Sequence, residues 1–215
     1  MTHLIEDTQH EVRRYWTADG IPDLYIGLGL LLYGLLSLRT AWGGGDWLFV
    51  AQALFLPLWF SAGVILLRRL KERLTYPRGG YVAYATPPRR VTGRRMMLGL
   101  GGAVLLGFLL LWGSLTLKGP RHDALGAGLV ALIFALGWGA AAWNQRRWRY
   151  AGYALVALLV GGWTVARMDS LAPEMRAATV HAVPLLLALG GAMLLGGGWS
   201  FLRFRVHNPV RGETE

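Results

Sequence analysis

Residues 96–116, MMLGLGGAVLLGFLLLWGSLT, contain no charged side chain. A helix of about 20 apolar residues is what crosses the ~30 Å hydrocarbon core of a bilayer. Similar runs recur at about 21–38, 46–67, 150–166 and 178–202, with another that Asp123 can cap and that ends near Ala142. Uninterrupted runs of this length predict transmembrane helices rather than the faces of soluble ones. The expected fold is therefore all-α: a polytopic integral membrane protein of six transmembrane helices in three hairpins. Only 16% of the residues are charged, against about 25% in a typical soluble domain. The 30 glycines and 10 tryptophans suit helices that pack closely in lipid and anchor at its surfaces.

The segments between the runs divide the chain. Residues 1–20 read as an interfacial, amphipathic segment, with Leu4, Ile5, Val12, Tyr15 and Trp16 able to share one side of a helix. Residues 21–67 form the first hairpin. Asp19-Gly20-Ile21-Pro22 starts its first helix, and Asp23 sits in the first turn, where the helix dipole favours an acid. Pro57 is expected to kink the second helix. Residues 68–95 form a basic loop, 96–142 the second hairpin, 143–204 the third, and 205–215 a polar tail. The helix before the loop is expected to continue through Arg73, and Thr75-Tyr76 and residues 81–84 flank Pro77-Arg78-Gly79-Gly80 as a weak hairpin signal.

The cations orient this arrangement. With the amino terminus inside, 17 of the 22 Lys and Arg residues fall on inner segments and five on outer ones. The positive-inside rule then puts both termini in the cytoplasm and the protein in the cell membrane. The same clustering beside apolar runs accounts for the net charge of +10 through anionic lipid headgroups rather than nucleic acid. With no cysteine, there is no disulfide framework, thiolate metal site or Cys nucleophile.

Motifs of catalysis are absent. The chain has no HExxH, no GxSxG and no GxxxxGK[ST], so neither a zincin helix, a nucleophile elbow nor a P-loop is expected, and no metal or cofactor. Gly137-x-Gly139-x-x-Ala142 fits a dinucleotide pattern only by composition, because no strand precedes it. Asp23, Asp46 and Asp123 stand at helix starts, where capping suffices to explain them. His181 is a titratable residue inside an apolar run, and Pro184 three residues on would kink that run. His181 with Asp46 and Asp123, all on the outer side, makes a candidate polar notch.

The loop at 68–95 is the stronger candidate. It holds nine of the 22 cations and one acid, Glu72. Arg73, Arg78, Arg89 and Arg90 alternate with Tyr76, Tyr81 and Tyr84, a set suited to anionic headgroups at about 1 kcal/mol per cation near the surface. An acidic protein partner would find the same set, and the glycine-rich helix faces would also serve a homodimer. The competing reading is a loop whose charges only orient the chain. The expected function is that of a non-enzymatic scaffold, sensor or accessory subunit. The alternative is a small transporter or channel for an apolar or neutral solute, passing Gln52, Thr164 or His181. A membrane-embedded lipid enzyme ranks below both, because only Asp46, His122, Asp123, Asp169 and His181 converge at one depth.

Overall fold

The computed structural model describes residues 19–43, 45, 47–76, 120–172, 175 and 182–209. They form five long helices: α1 (Ile21–Ala41), α2 (Trp47–Leu74), α3 (Pro120–Gln145), α4 (Trp148–Arg167) and α5 (Val183–His207). A 3-10 turn, Met168–Ser170, follows α4. No strand occurs among the described residues. Among the described residues, four helices are long and apolar enough to cross a membrane: α1, α2, α5 and the Gly126–Gln145 part of α3. At 20 residues α4 has the length, but it carries Arg149, Tyr150, Tyr153 and Thr164 on its buried face. The third expected span, 96–116, and residues 1–18 lie outside the described residues.

Neighbouring helices are ordered α2–α1–α5–α4–α3 in space, with α1 and α5 as the central pair. Their contact is a seam of small residues. Gly20, Gly27 and Gly34 recur every seven residues on α1 and its amino-terminal flank, and Gly190 and Gly197 do so on α5. A methyl group on Gly27 would lie 2.9 Å from the Gly190 carbonyl oxygen, and one on Gly190 would lie 2.9 Å from that of Gly27. The two backbones therefore touch, which lipid-embedded helices achieve only where side chains are missing. Gly20 has a further reason to be glycine, since its φ of 71° is left-handed just before the helix.

The α3–α4 pair uses alanine in the same way. Ala131 faces Gly161, and Ala131, Ala135 and Ala157 share a core with Leu185 of α5. Between α1 and α2 the contact is aromatic. Tyr25 stacks on Trp59 at 4.6 Å, Trp59 on Phe55 at 5.5 Å, and the Tyr25 hydroxyl donates to the Trp59 carbonyl. Gly29 and Gly63 leave the room those rings fill.

Three local expectations change. Of the run expected from 178, residues 178–181 lie outside the described residues, and α5 begins at Val183 after Ala182 in the left-handed region. Pro184 thus falls in the first turn of α5 and frees no carbonyl within it, because first-turn N–H groups have no intrahelical partner. The kink that motivated a notch at His181 is therefore not a feature of α5. Asp123 lies in the first turn of α3, which begins at Pro120, rather than ahead of it. Thr75 closes α2 instead of opening a strand: its N–H donates to the Lys71 carbonyl at 2.9 Å. The helix does continue past 68 as expected, to Leu74.

Candidate functional site

One end of the bundle gathers the start of α1, the end of α2, the α3–α4 turn and the end of α5. Two carboxylates, one helical turn apart in sequence, are buried there. Asp23 is 1% exposed and Asp19 is fully buried. A buried ionised carboxylate is tolerated only with a counter-charge and hydrogen bonds. Asp23 has both. Its Oδ2 lies 3.1 Å from Arg149 Nε and accepts from the Tyr153 hydroxyl at 3.3 Å, while Oδ1 accepts from the Tyr150 hydroxyl at 3.4 Å. Arg149 Nη2 in turn donates to the Tyr150 oxygen at 3.2 Å. Trp138 of α3 walls the network, stacked on Tyr150 and edge-on to Tyr153, each at 5.5 Å.

Asp19 makes a second, parallel unit. Its Oδ2 lies 3.0 Å from Lys71 Nζ and accepts from Thr75 Oγ1 at 2.9 Å, and its Oδ1 accepts from the Ile21 N–H at 3.2 Å. Lys71 and Thr75 are four residues apart on α2, so one face presents both. The two units tie α1 to α2 on one side and to α4 on the other. Tyr153→Phe removes one neutral donor from Asp23 while keeping the ring. We expect it to lower stability by about 0.5–1.5 kcal/mol, read from the denaturant midpoint in detergent.

Beside this network, between the beginning of α4 and the last turns of α5, lies a cavity of about 420 Å³. Arg146, Arg147, Arg149, Arg203, His207 and Ser200 line it, with Trp148 and Trp199 at its rim. The turn that presents these arginines is tight. Arg146 adopts a left-handed φ of 51°, and the Arg147 N–H reaches back to the Ala142 carbonyl at 3.3 Å, closing α3. A second, shallower groove runs along α3 and α4 from the same turn.

The residues singled out in sequence are distributed as follows. Arg73 is exposed near the end of α2, and Tyr76 is half-buried just beyond it. Arg78, Tyr81, Tyr84, Arg89 and Arg90 lie outside the described residues, as do Asp46, His181 and the side chain of Asp123. Gln52 joins α1 to α2: its amide donates to Ser37 Oγ at 3.0 Å and to the Tyr33 hydroxyl at 3.3 Å. Capping does not account for Asp23. The N-cap residue is Gly20, a side-chain bond to the helix start comes from Asp19, and Asp23 faces inward to Arg149 rather than along the helix dipole. A signal was present, since the positive-inside assignment already put Asp19, Asp23, Lys71 and Arg149 at one depth.

Comparison of the chain with protein-family models, curated proteins and solved structures gives no match.

Proposed function

We propose that this chain is a six-span protein of the cell membrane, with both termini cytoplasmic, acting as a non-enzymatic scaffold, sensor or accessory subunit. Its working surface is the basic end of the bundle and the 68–95 segment that continues from it, and its partner there is anionic lipid. One observation carries this reading. Arg68, Arg69, Lys71, Arg73, Arg146, Arg147, Arg149, Arg203 and Arg205 stand at one end, against Arg39 and Arg167 at the other, among the described side chains. Asp19, Asp23 and Glu72 pair with Lys71, Arg149 and Arg68, so among the described side chains this end keeps an excess of six positive charges. Such a field attracts anionic headgroups and sets topology at once.

Transport finds less support. Gln52 is occupied by internal bonds and Thr164 is buried against neighbouring helices, whereas a solute path needs polar groups facing an opening.

Two experiments test the proposal. The chain has no cysteine, so Ser170→Cys and Pro209→Cys can each be labelled singly in cells with a membrane-impermeant maleimide. Ser170→Cys should label in intact cells and Pro209→Cys only after permeabilisation; the reverse pattern would sink the topology. For the working surface, residues 77–95 are replaced by a Lys/Gly/Ser linker that keeps the orienting charge. Lys71 and Thr75 are left in place because they hold Asp19. Unchanged enrichment of anionic over zwitterionic lipid around the purified protein would remove that segment from the proposal.

A further inference from the structure

We infer that the cationic cavity and the groove beside it together hold one anionic phospholipid, its phosphate in the cavity and an acyl chain in the groove. This rests on the membrane reading above and adds to it a discrete site that a diffuse basic surface does not require.

The cavity supplies the first half of the argument. Four arginines, His207 and the Ser200 hydroxyl line it, and no carboxylate does among the described residues. Asp23, behind the wall, is already matched to Arg149. The wall is thus net positive and rich in donors that suit phosphate oxygens. Its volume, about 420 Å³, lies within the roughly 300–1,000 Å³ of small-molecule sites.

The groove supplies the second. It shares Arg146, Arg147 and Trp148 with the cavity and continues over Gly139, Ala142, Ala151, Ala154, Leu155 and Leu158. Four of these lining residues are small, beside the bulkier leucines and Trp143. From Trp148 to Leu158 is ten residues of helix, or about 15 Å at 1.5 Å per residue. That is half of the ~30 Å hydrocarbon core, the depth of one leaflet. Trp143 and Trp148, 86% and 82% exposed, flank the turn as headgroup-level anchors do. A soluble phosphate would use the cavity and leave the groove without purpose. A phospholipid uses both, and a headgroup with no cation of its own is favoured by the arginines.

The test uses the full chain purified in detergent and native mass spectrometry with added phosphatidylglycerol, phosphatidylcholine or inorganic phosphate. The parent should retain one phosphatidylglycerol in preference to phosphatidylcholine. Arg203→Gln and Arg146→Gln should each weaken that retention about tenfold, the loss expected for one charge-assisted hydrogen bond. Arg205→Gln is the charge-matched control. Arg205 lies over the Phe201 ring, outside the cavity, and its loss should weaken retention far less than the tenfold of Arg203→Gln. Ala151→Trp, filling the groove, should weaken phosphatidylglycerol retention without changing phosphate binding.

Equal weakening by Arg205→Gln and Arg203→Gln would overturn the discrete site and leave the general attraction to anionic lipid standing. Phosphatidylglycerol retention indifferent to Ala151→Trp, with inorganic phosphate bound in the same Arg203-dependent way, would make the ligand a soluble phosphate and overturn the lipid. A parent protein that shows no preference for phosphatidylglycerol would overturn this site and the wider lipid reading together. Circular dichroism of each variant separates loss of binding from loss of fold.

Discussion

Asp23→Ala unfolds the bundle at markedly lower denaturant than the parent protein. The substitution leaves Arg149, a residue 7% exposed, without its carboxylate, and breaking a buried ion pair from one side costs about 3–5 kcal/mol. The tyrosines cannot compensate, because Tyr150 and Tyr153 both donate to Asp23 and neither brings a negative charge. Removing both partners should cost far less. In Asp23→Leu with Arg149→Met no charge is stranded, and apolar side chains of similar volume often replace a buried pair at little net cost. SDS- or denaturant-induced loss of helicity in the parent, the two single variants and the double variant gives the coupling free energy. Costs that simply add would mean the two side chains act separately, and Asp23 and Arg149 would not be a coupled pair.

The second large effect concerns the seam between α1 and α5. Gly27→Ala and Gly190→Ala each place a methyl group 2.9 Å from the opposing carbonyl oxygen. The obstacle is backbone, so it cannot swing aside as a side chain would. The helices must move apart, at about 1–3 kcal/mol by the cost of overpacking. Separation also loosens Gly20 against Gly197, next to Asp23, so the loss should spread toward the ion pairs. Because both methyl groups push on one contact, the double variant should cost clearly less than the sum of the singles. Gly152→Ala is the control, with open space around its α-carbon. It should be neutral or slightly stabilising, since alanine is the better helix former. If Gly27→Ala is as mild as Gly152→Ala, then α1 and α5 are not in backbone contact.

The two effects differ in how readable they were. The glycine faces could be seen in the sequence as flat surfaces, since Gly27, Gly34, Gly190 and Gly197 are spaced along apolar runs. What could not be seen was which face met which, because a glycine permits close approach without naming its partner. The acids were harder still. Asp19 and Asp23 sit where an ordinary helix start would put an acid, so local reasoning was satisfied before any tertiary partner was considered. Tyr150 and Asp23 are 127 positions apart, and no spacing rule reaches that far. Arg146, Arg147 and Arg149 stand close together in the sequence, but nothing there shows their enclosure against the last turns of α5. Two arginines of the α3–α4 turn share a cavity with Arg203 and His207 only because α4 packs beside α5.

By itself the sequence determined that this is a helical protein with several helices apolar enough to cross a membrane, and about where those helices begin and end. These properties are local: apolar length sets a helix against the thickness of the bilayer, and prolines, glycines and charges mark its limits. The tertiary structure decided which helices are neighbours, and through that which cation neutralises which buried acid. It also decided that Pro184 opens α5 rather than bending it. A buried charge is stable only beside a specific partner, and partnership depends on the order α2–α1–α5–α4–α3 in space, which the order along the chain does not contain.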